Sequence, residues 1–359
     1  MKIENTVSQA IEISLRIFGI WPNTSCVLLR RLFWTVMLVT EQVFQYRYIV
    51  VHFHLIEFIE MMRIIGSTMA YTIFLFKLLI FWYKQRTFNR ILTMMANNWE
   101  KCSDTKFSML ITSKILVKHD NGDTASNVST RLLILDMDLP FDANRRFIYE
   151  SIIIVQFLHL VLCSEAIGLL NALLINLILH ISGQIDILRK SVMDIFPKEG
   201  NGRLSRFVVQ KIIKKHQEII IFSEHIEDLY SYIAMVLFVT DTLIICCLGF
   251  TIVAAIGRPD ALNNIIKTLL FYFLMNSEAF IFCFAGEYLS AKSKSIGDAA
   301  YDSLWYESDS KDSRIILFLI MRSQNQLTIT IGKIMNLSLD RFGSIIKASA
   351  SYISVLFAM

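Results

Sequence analysis

The sequence is poor in the residues that punctuate a chain. Its 359 residues include only 4 prolines and 13 glycines. Turns and loops are built largely from these two types, so most of the length is not loop. Charge is scarce as well. Asp, Glu, Lys and Arg together make 18%, and the net charge is +4. So small a surplus, with its basic residues lying between apolar segments, excludes a nucleic-acid-binding surface. The six cysteines show neither disulfide-scaffold nor metal-ligand spacing. Cys163, Cys246, Cys247 and Cys283 fall inside apolar runs, Cys26 and Cys102 beside basic residues. No phosphate loop, nucleophile spacing or paired-carboxylate motif stands out, and there is no internal repeat. The sequence reads as a non-enzyme with no cofactor. The start, MKIENTVSQAIEISLRIFGIWP, is amphipathic and lacks the short apolar core of a signal peptide; the first span is expected to direct insertion.

Apolar residues are what the chain has in excess. They make 54% of it, and the mean hydropathy is +0.51. One soluble core of this size could not bury so much apolar surface. Several stretches approach the roughly 20 apolar residues that cross a bilayer as a helix. The expected class is therefore all-α, a polytopic membrane protein, because helices satisfy their own backbone inside lipid. Spans are expected at about 32–51, 64–83, 150–180, 230–256, 265–289 and 337–358. A weak, degenerate candidate for the third of seven lies within 107–140, where FSMLITSKILV and RLLILDMDL are split by a polar stretch.

Charge gives an orientation. Lys and Arg number 4 before the first span, 5 in 84–106, 8 in 181–228 and 5 in 291–330. The alternate segments carry 1 in 52–63, 4 in 118–149 and 2 in 257–267, so the balance is 22 against 7. With seven crossings this places the amino terminus in the cytoplasm and the carboxyl terminus outside. It also argues against a G-protein-coupled receptor, whose amino terminus is extracellular.

Helix is expected to continue past the membrane. GQIDILRKSVMDIF (183–196) extends the fourth span, and 211–235 leads into the fifth with Ile212, Ile213, Ile219, Ile220, Ile226 and Leu229 on a helical stripe. FPKEGNG (196–202) reads as a turn, and Arg314–Gln326 as a third amphipathic helix. Apolar stripes in the cytosol must pack on something. Segments 183–228 and 291–330 are read as anchor helices, within the chain or between subunits, and 1–359 as one domain.

Several motifs resemble the insect odorant receptor family. IFGIWP (17–22) resembles its motif before the first span, and LPF (139–141) its lead into the fourth. HISGQIDIL (180–188) and KKHQEIIIFSEHIED (214–228) are similar to its cytoplasmic helices. FAGEYLSAKSKSIGDAAYDSLWY (284–306) and SIIKASASYISVLFAM (344–359) are the closest matches. Tyr352 is followed by ISVLFAM without the Gln-Phe pattern of the sister gustatory receptors, which favours the odorant branch. The departure from the pattern is the third span. The resemblance implies a ligand-tuning subunit in a heterotetramer with a common co-receptor, gating a non-selective cation pore in the plasma membrane, with small volatile odorants as ligands and membrane lipid around it. A gustatory receptor channel is the alternative.

The same resemblance puts the pore on the last span (337–358) and places Val355 at its hydrophobic gate. Ser351, Tyr352 and Ala358 share the helical face of Val355. A ring of valines closes a pore by excluding water. An odorant pocket needs aromatic and apolar walls with a few polar groups. The outer halves of the second, fourth and fifth spans offer Tyr71 and Phe74, Phe157 and His159, and Phe238 and Thr242, each of which core packing also explains. Glu41, Lys77, Glu165, Asp241 and Glu278 are ionisable residues inside spans, where they are expensive and often functional. For Asp241 an interhelical hydrogen bond serves as well as a ligand contact. HFHLIEFIE (52–60) is read as interface polar residues rather than a metal site, and Asn127-Val128-Ser129 as an outer glycosylation sequon.

Overall fold

The computed structural model describes residues 7–22, 24–53, 58–101, 137, 146–195, 206–255, 261–303, 305–307 and 310–358. The weak third span (Met137 apart), the Asn127 sequon, LPF at 139–141, the turn at 196–202 and part of HFHLIEFIE lie outside these residues.

The described chain is mostly helical, in agreement with the all-α expectation. Helix α1 (Gln9–Ile17) buries Ile11 and Leu15, and Glu12 pairs with Arg16 one turn on, at 2.5 Å. It stops at Gly19, whose φ of +65° suits a residue without Cβ. The Gly19 N–H donates to the Arg16 carbonyl and the Ile20 N–H to that of Leu15, a left-handed cap that turns the chain sharply. This gives IFGIWP its structural purpose. Phe18 lies 4.5 Å from the Trp34 ring. Trp34 Nε1 donates to the Ile17 carbonyl at 3.2 Å and Trp82 Nε1 to that of Phe18 at 3.0 Å. Arg31 donates to the Gly19 carbonyl through Nε and Nη2, both at 3.1 Å. One short motif thus fastens α1 to the two helices that follow.

Those are α2 (Val27–His52) and α3 (Phe58–Tyr83). Helical hydrogen bonding carries across Lys84 into α4 (Gln85–Lys101). Three long helices come next: α5 (Arg146–Met193, 48 residues), α6 (Arg206–Ala255, 50 residues) and α7 (Ala261–Asp302, 42 residues). At about 1.5 Å per residue they reach about 72, 75 and 63 Å, against about 30 Å of bilayer hydrocarbon. Each is long enough to cross and then stand well clear of the membrane. On α6 the expected stripe holds for Ile212, Ile219, Ile226 and Leu229, all buried, whereas Ile213 points out. A 3₁₀ turn (Trp305–Glu307) leads to α8 (Ser310–Ser323), which packs on α7, and the chain ends in α9 (Leu339–Ala358).

By length and composition, α3, α5, α6 and α7 each hold a stretch fit to cross a membrane. Helices α2 and α9 are long enough at 26 and 20 residues but fall outside that set among the described residues. Glu41, Gln42, Gln45 and Arg47 dilute the first, and Ser344, Lys347 and Ser351 the second. The molecule is a multi-pass helical membrane protein.

One element was absent from the sequence reading. Strands β1 (Thr330–Ile331) and β2 (Met335–Asn336) pair antiparallel just before α9. They are joined by the three-residue loop 332–334, in which Gly332 and Lys333 both have positive φ and the Ile334 N–H donates to the Ile331 carbonyl at 3.0 Å. Ser231 of α6 holds this turn: its carbonyl accepts the Gly332 N–H at 3.0 Å and its hydroxyl accepts the Lys333 N–H at 3.0 Å. Two-residue strands are too short for any alternation to register in the sequence.

Candidate functional site

Two buried polar junctions and the terminal helix stand out. The first junction lies among α2, α3 and α5. A Glu41 carboxylate oxygen meets His159 Nε2, both residues buried. The His159 ring stacks on Tyr71 at 6.0 Å between centroids, and its Nε2 lies 3.3 Å from Cys163 Sγ. Three buried oxygens of this region make no hydrogen bond among the described residues: Glu41 Oε1, Gln45 Oε1 (one turn along α2) and the Tyr71 hydroxyl. Buried polar atoms are nearly always partnered, so these oxygens are acceptors left over by the packing.

The second junction joins α3, α5, α6 and α7. Lys77 pairs with Glu278, and Asn171 Nδ2 donates to the same Glu278 oxygen at 3.2 Å. Asp241 is fully buried near Lys77 and Glu278, and neither of its oxygens has a hydrogen-bond partner among the described residues. One ammonium thus serves two carboxylates. Next in sequence, Thr242 donates to the Phe238 carbonyl of its own helix at 2.7 Å, while its carbonyl accepts the Ser349 hydroxyl of α9 at 3.4 Å. The charged junction is one residue from the last helix.

Helix α9 has two unlike faces. Ile345 and Ser349 are buried against α6 and α7. Gly249 of α6 lets α9 approach, since a Cβ there would stand 2.3 Å from Ile353 Cδ1. On the other face Ser344, Lys347, Ser351, Tyr352, Ser354 and Val355 are exposed. Ala358 closes the helix.

The residues selected from sequence therefore separate. Tyr71 and His159 come together, joined by Glu41 and Cys163, which the pocket reading had not included. Phe157 is 56% exposed with Ile154 and Leu158 and faces away from His159. Two residues along a helix is about 200° of rotation, so the spacing itself carried that signal. Phe74 is fully buried edge-on to Phe18, at 5.9 Å, as core. Phe238 is half-buried and bridges the two apolar clusters. Glu165 lies on the exposed side of α5. Asp241 and Glu278 meet through Lys77.

Elsewhere along the helices charges are partly exposed and matched. Lys84 pairs with Asp228 at 2.7 Å, Thr87 donates to the same carboxylate at 3.1 Å, and Lys292 pairs with Asp186 at 2.9 Å. Burial alone would raise the Asp228 carboxyl; the hydrogen bonds from Lys84 and Thr87 outweigh it and hold the group below its ordinary 3.8. Burial, and then the Arg322 charge, lowers the His216 imidazole.

Together these features define a class: a multi-pass helical membrane protein with buried polar junctions between its helices. The profile of the 7tm Odorant receptor family matches residues 107–350, and the chain belongs to this family, one of receptors rather than enzymes. It is 30% identical over 148 residues to Odorant receptor 10 of Aedes albopictus, covering 41% of this chain and 38% of that one. With Odorant receptor 22c of Drosophila melanogaster the identity is 27% over 165 residues, covering 46% and 39%. The alignments thus span about two fifths of these relatives' length. The fold is similar to that of the olfactory receptor OR5 of Machilis hrabei in complex with eugenol, with a TM-score of 0.74 at 17% identity over 97% of this chain and 96% of that one.

Proposed function

We propose that the chain is the ligand-tuning subunit of an odorant-gated, non-selective cation channel, assembled with a common co-receptor as a heterotetramer in the plasma membrane. Seven crossings put its amino terminus in the cytoplasm and its carboxyl terminus outside. The observation that carries this reading is the free face of α9. Ser344, Lys347, Ser351 and Ser354 recur there at helical spacing on a helix that packs among membrane-crossing neighbours. Lipid is a poor solvent for such a face, and a water-filled pore is a good one. Val355, above Ser351 and Tyr352, forms the apolar constriction, with Ala358 at the outer mouth.

The odorant occupies the junction of Tyr71, His159 and Glu41, with Phe238 and Thr242 on the route to α9. Oxygens without partners beside an aromatic ring favour a small apolar ligand bearing a hydroxyl or similar donor. The Machilis receptor holds eugenol, and a ligand of that chemistry suits these atoms. Binding there shifts α6, whose Asp241–Thr242 segment touches α9 at Ser349, and the favoured state is the one with a wetted gate. The long ends of α5, α6 and α7, with α8, form the anchor at 183–228 and 291–330. Leu317, Phe318 and Met321 of α8 are exposed apolar residues beyond the bundle, which supports burial against another subunit.

The test is whole-cell current in cells expressing this chain with and without the co-receptor, across an odorant panel rich in alcohols and phenols. Cation current only on co-expression, without G proteins, is expected. Equal current from either chain alone, or none with both at the surface, would sink the reading.

A further inference from the structure

A cavity of about 930 Å³ opens where α1 meets the start of α2, far from the junctions above. Its polar side is Arg16, Arg30, Thr24 and Ser25; its apolar side is Ile17, Leu29 and Phe33. Arg30 is steered into place by its Nη1, which donates to the Arg16 carbonyl at 2.6 Å. Of the two guanidinium charges, Glu12 balances one through its pair with Arg16. That of Arg30 meets no carboxylate among the described residues, so the cavity carries a surplus of positive charge.

The apolar side does not end at the cavity. Leu29, Phe33, Val36, Val43 and Val50 are all exposed and follow one another at helical spacing along the length of α2. A cationic cleft with the exposed Ser25 hydroxyl beside it thus opens onto a short apolar track of Leu29, Phe33 and Val36, which Thr40 and then Arg47 interrupt further along α2. A free anion would have no use for the track, and an apolar segment of protein none for the unbalanced charge. The uncapped start of α2 adds its positive end to the same potential.

We propose that this cavity binds an anionic phospholipid of the cytoplasmic leaflet, its phosphate between Arg30 and Arg16 and its acyl chain along Leu29, Phe33 and Val36. The inference rests on the reading in which α2 crosses the membrane with α1 on the cytoplasmic side, where anionic lipids lie. The bound lipid splints α1 to α2 from outside, as Phe18 and Trp34 do from within.

The full-length chain, equilibrated with mixed phosphatidylserine and phosphatidylcholine vesicles and extracted in mild detergent, tests this by native mass spectrometry. Phosphatidylserine is expected to be retained roughly tenfold or more over phosphatidylcholine. Arg30→Gln should remove most of that preference, and Arg30→Lys should keep a good part of it. Ser25→Asp changes an exposed residue, so it folds, and should repel the lipid as strongly as Arg30→Gln does. Equal retention of the two lipids, indifference to Arg30→Gln and Ser25→Asp, or displacement of the lipid by inorganic phosphate alone would each overturn the proposal. The measurement needs neither odorant nor current. A conducting channel without lipid preference breaks this inference alone, and a silent chain that retains the lipid breaks only the channel reading.

Discussion

The two levels of the helix bundle treat charge in opposite ways. Where charges are partly exposed, Lys84 meets Asp228 and Lys292 meets Asp186, each cation with its own carboxylate. Within the crossing part, Lys77 stands between Glu278 and Asp241, and Glu41 with His159 leaves an oxygen over. The first arrangement is satisfied and exposed, so it stabilises little and switches nothing. The second is buried and over-subscribed in acceptors, so it is costly and has alternative pairings available. A signalling protein needs the second kind of place, and here the Lys77 junction adjoins α9 through Thr242 and Ser349.

Substitutions should expose this contrast, beginning with the buried cation. Lys77→Met strands two buried carboxylates and should cost about 3–5 kcal/mol, read as loss of monodisperse receptor. The double variant Lys77→Met with Glu278→Gln should recover a substantial part; recovery of nothing would mean the pair is not the unit described.

Gly249→Val should follow, since its side chain must displace Ile353 and with it α9. Overpacking of this kind costs about 1–3 kcal/mol. Open probability should change in the same variant, and Ile353→Ala in the same chain should restore it. Normal gating in Gly249→Val would remove the close approach from the account.

Tyr71→Phe deletes a buried hydroxyl that has no hydrogen-bond partner among the described residues. Stability should therefore be unchanged or slightly higher, while the response to hydroxyl-bearing odorants weakens by about tenfold, the worth of roughly one hydrogen bond. A dose–response series that separates alcohols from matched hydrocarbons checks this; equal loss for both would make Tyr71 mere packing.

Asp228→Asn should have the smallest effect, under about 1 kcal/mol at neutral pH, because the pair with Lys84 is partly exposed. The carboxyl is held below its ordinary 3.8. Its contribution is thus complete above that value and lost as pH falls through the lower folded-state value. Thermal unfolding of the variant should match that of the parent in strong acid, diverge as pH rises through the folded-state value and reach its full difference above about pH 4.

Much of this was legible in the sequence. The helices were, because Ile212, Ile219, Ile226 and Leu229 repeat at 3.6 and because residues that break helices are few. Tyr71 and His159 were visible as polar rings in apolar spans. Their meeting with Glu41 was not, since pairing across three helices leaves no local pattern. Phe157 was chosen for its composition, although its two-residue offset from His159 already turned it to the opposite side. The hairpin at Gly332 escaped because four paired residues make no periodicity. Asp241 was noticed for its charge, yet only the fold brings Lys77 and Glu278 to it.

The most direct test of the central claim is cysteine accessibility along α9 in channels assembled with the co-receptor. Residues 344, 345, 347, 349, 351 and 355 are replaced one at a time by cysteine and treated with a charged thiol reagent during odorant application. Modification of Ser344→Cys, Lys347→Cys, Ser351→Cys and Val355→Cys should change the current, and Ile345→Cys and Ser349→Cys should be inert. The reverse pattern, or no effect at any position, would contradict a pore on the free face of α9.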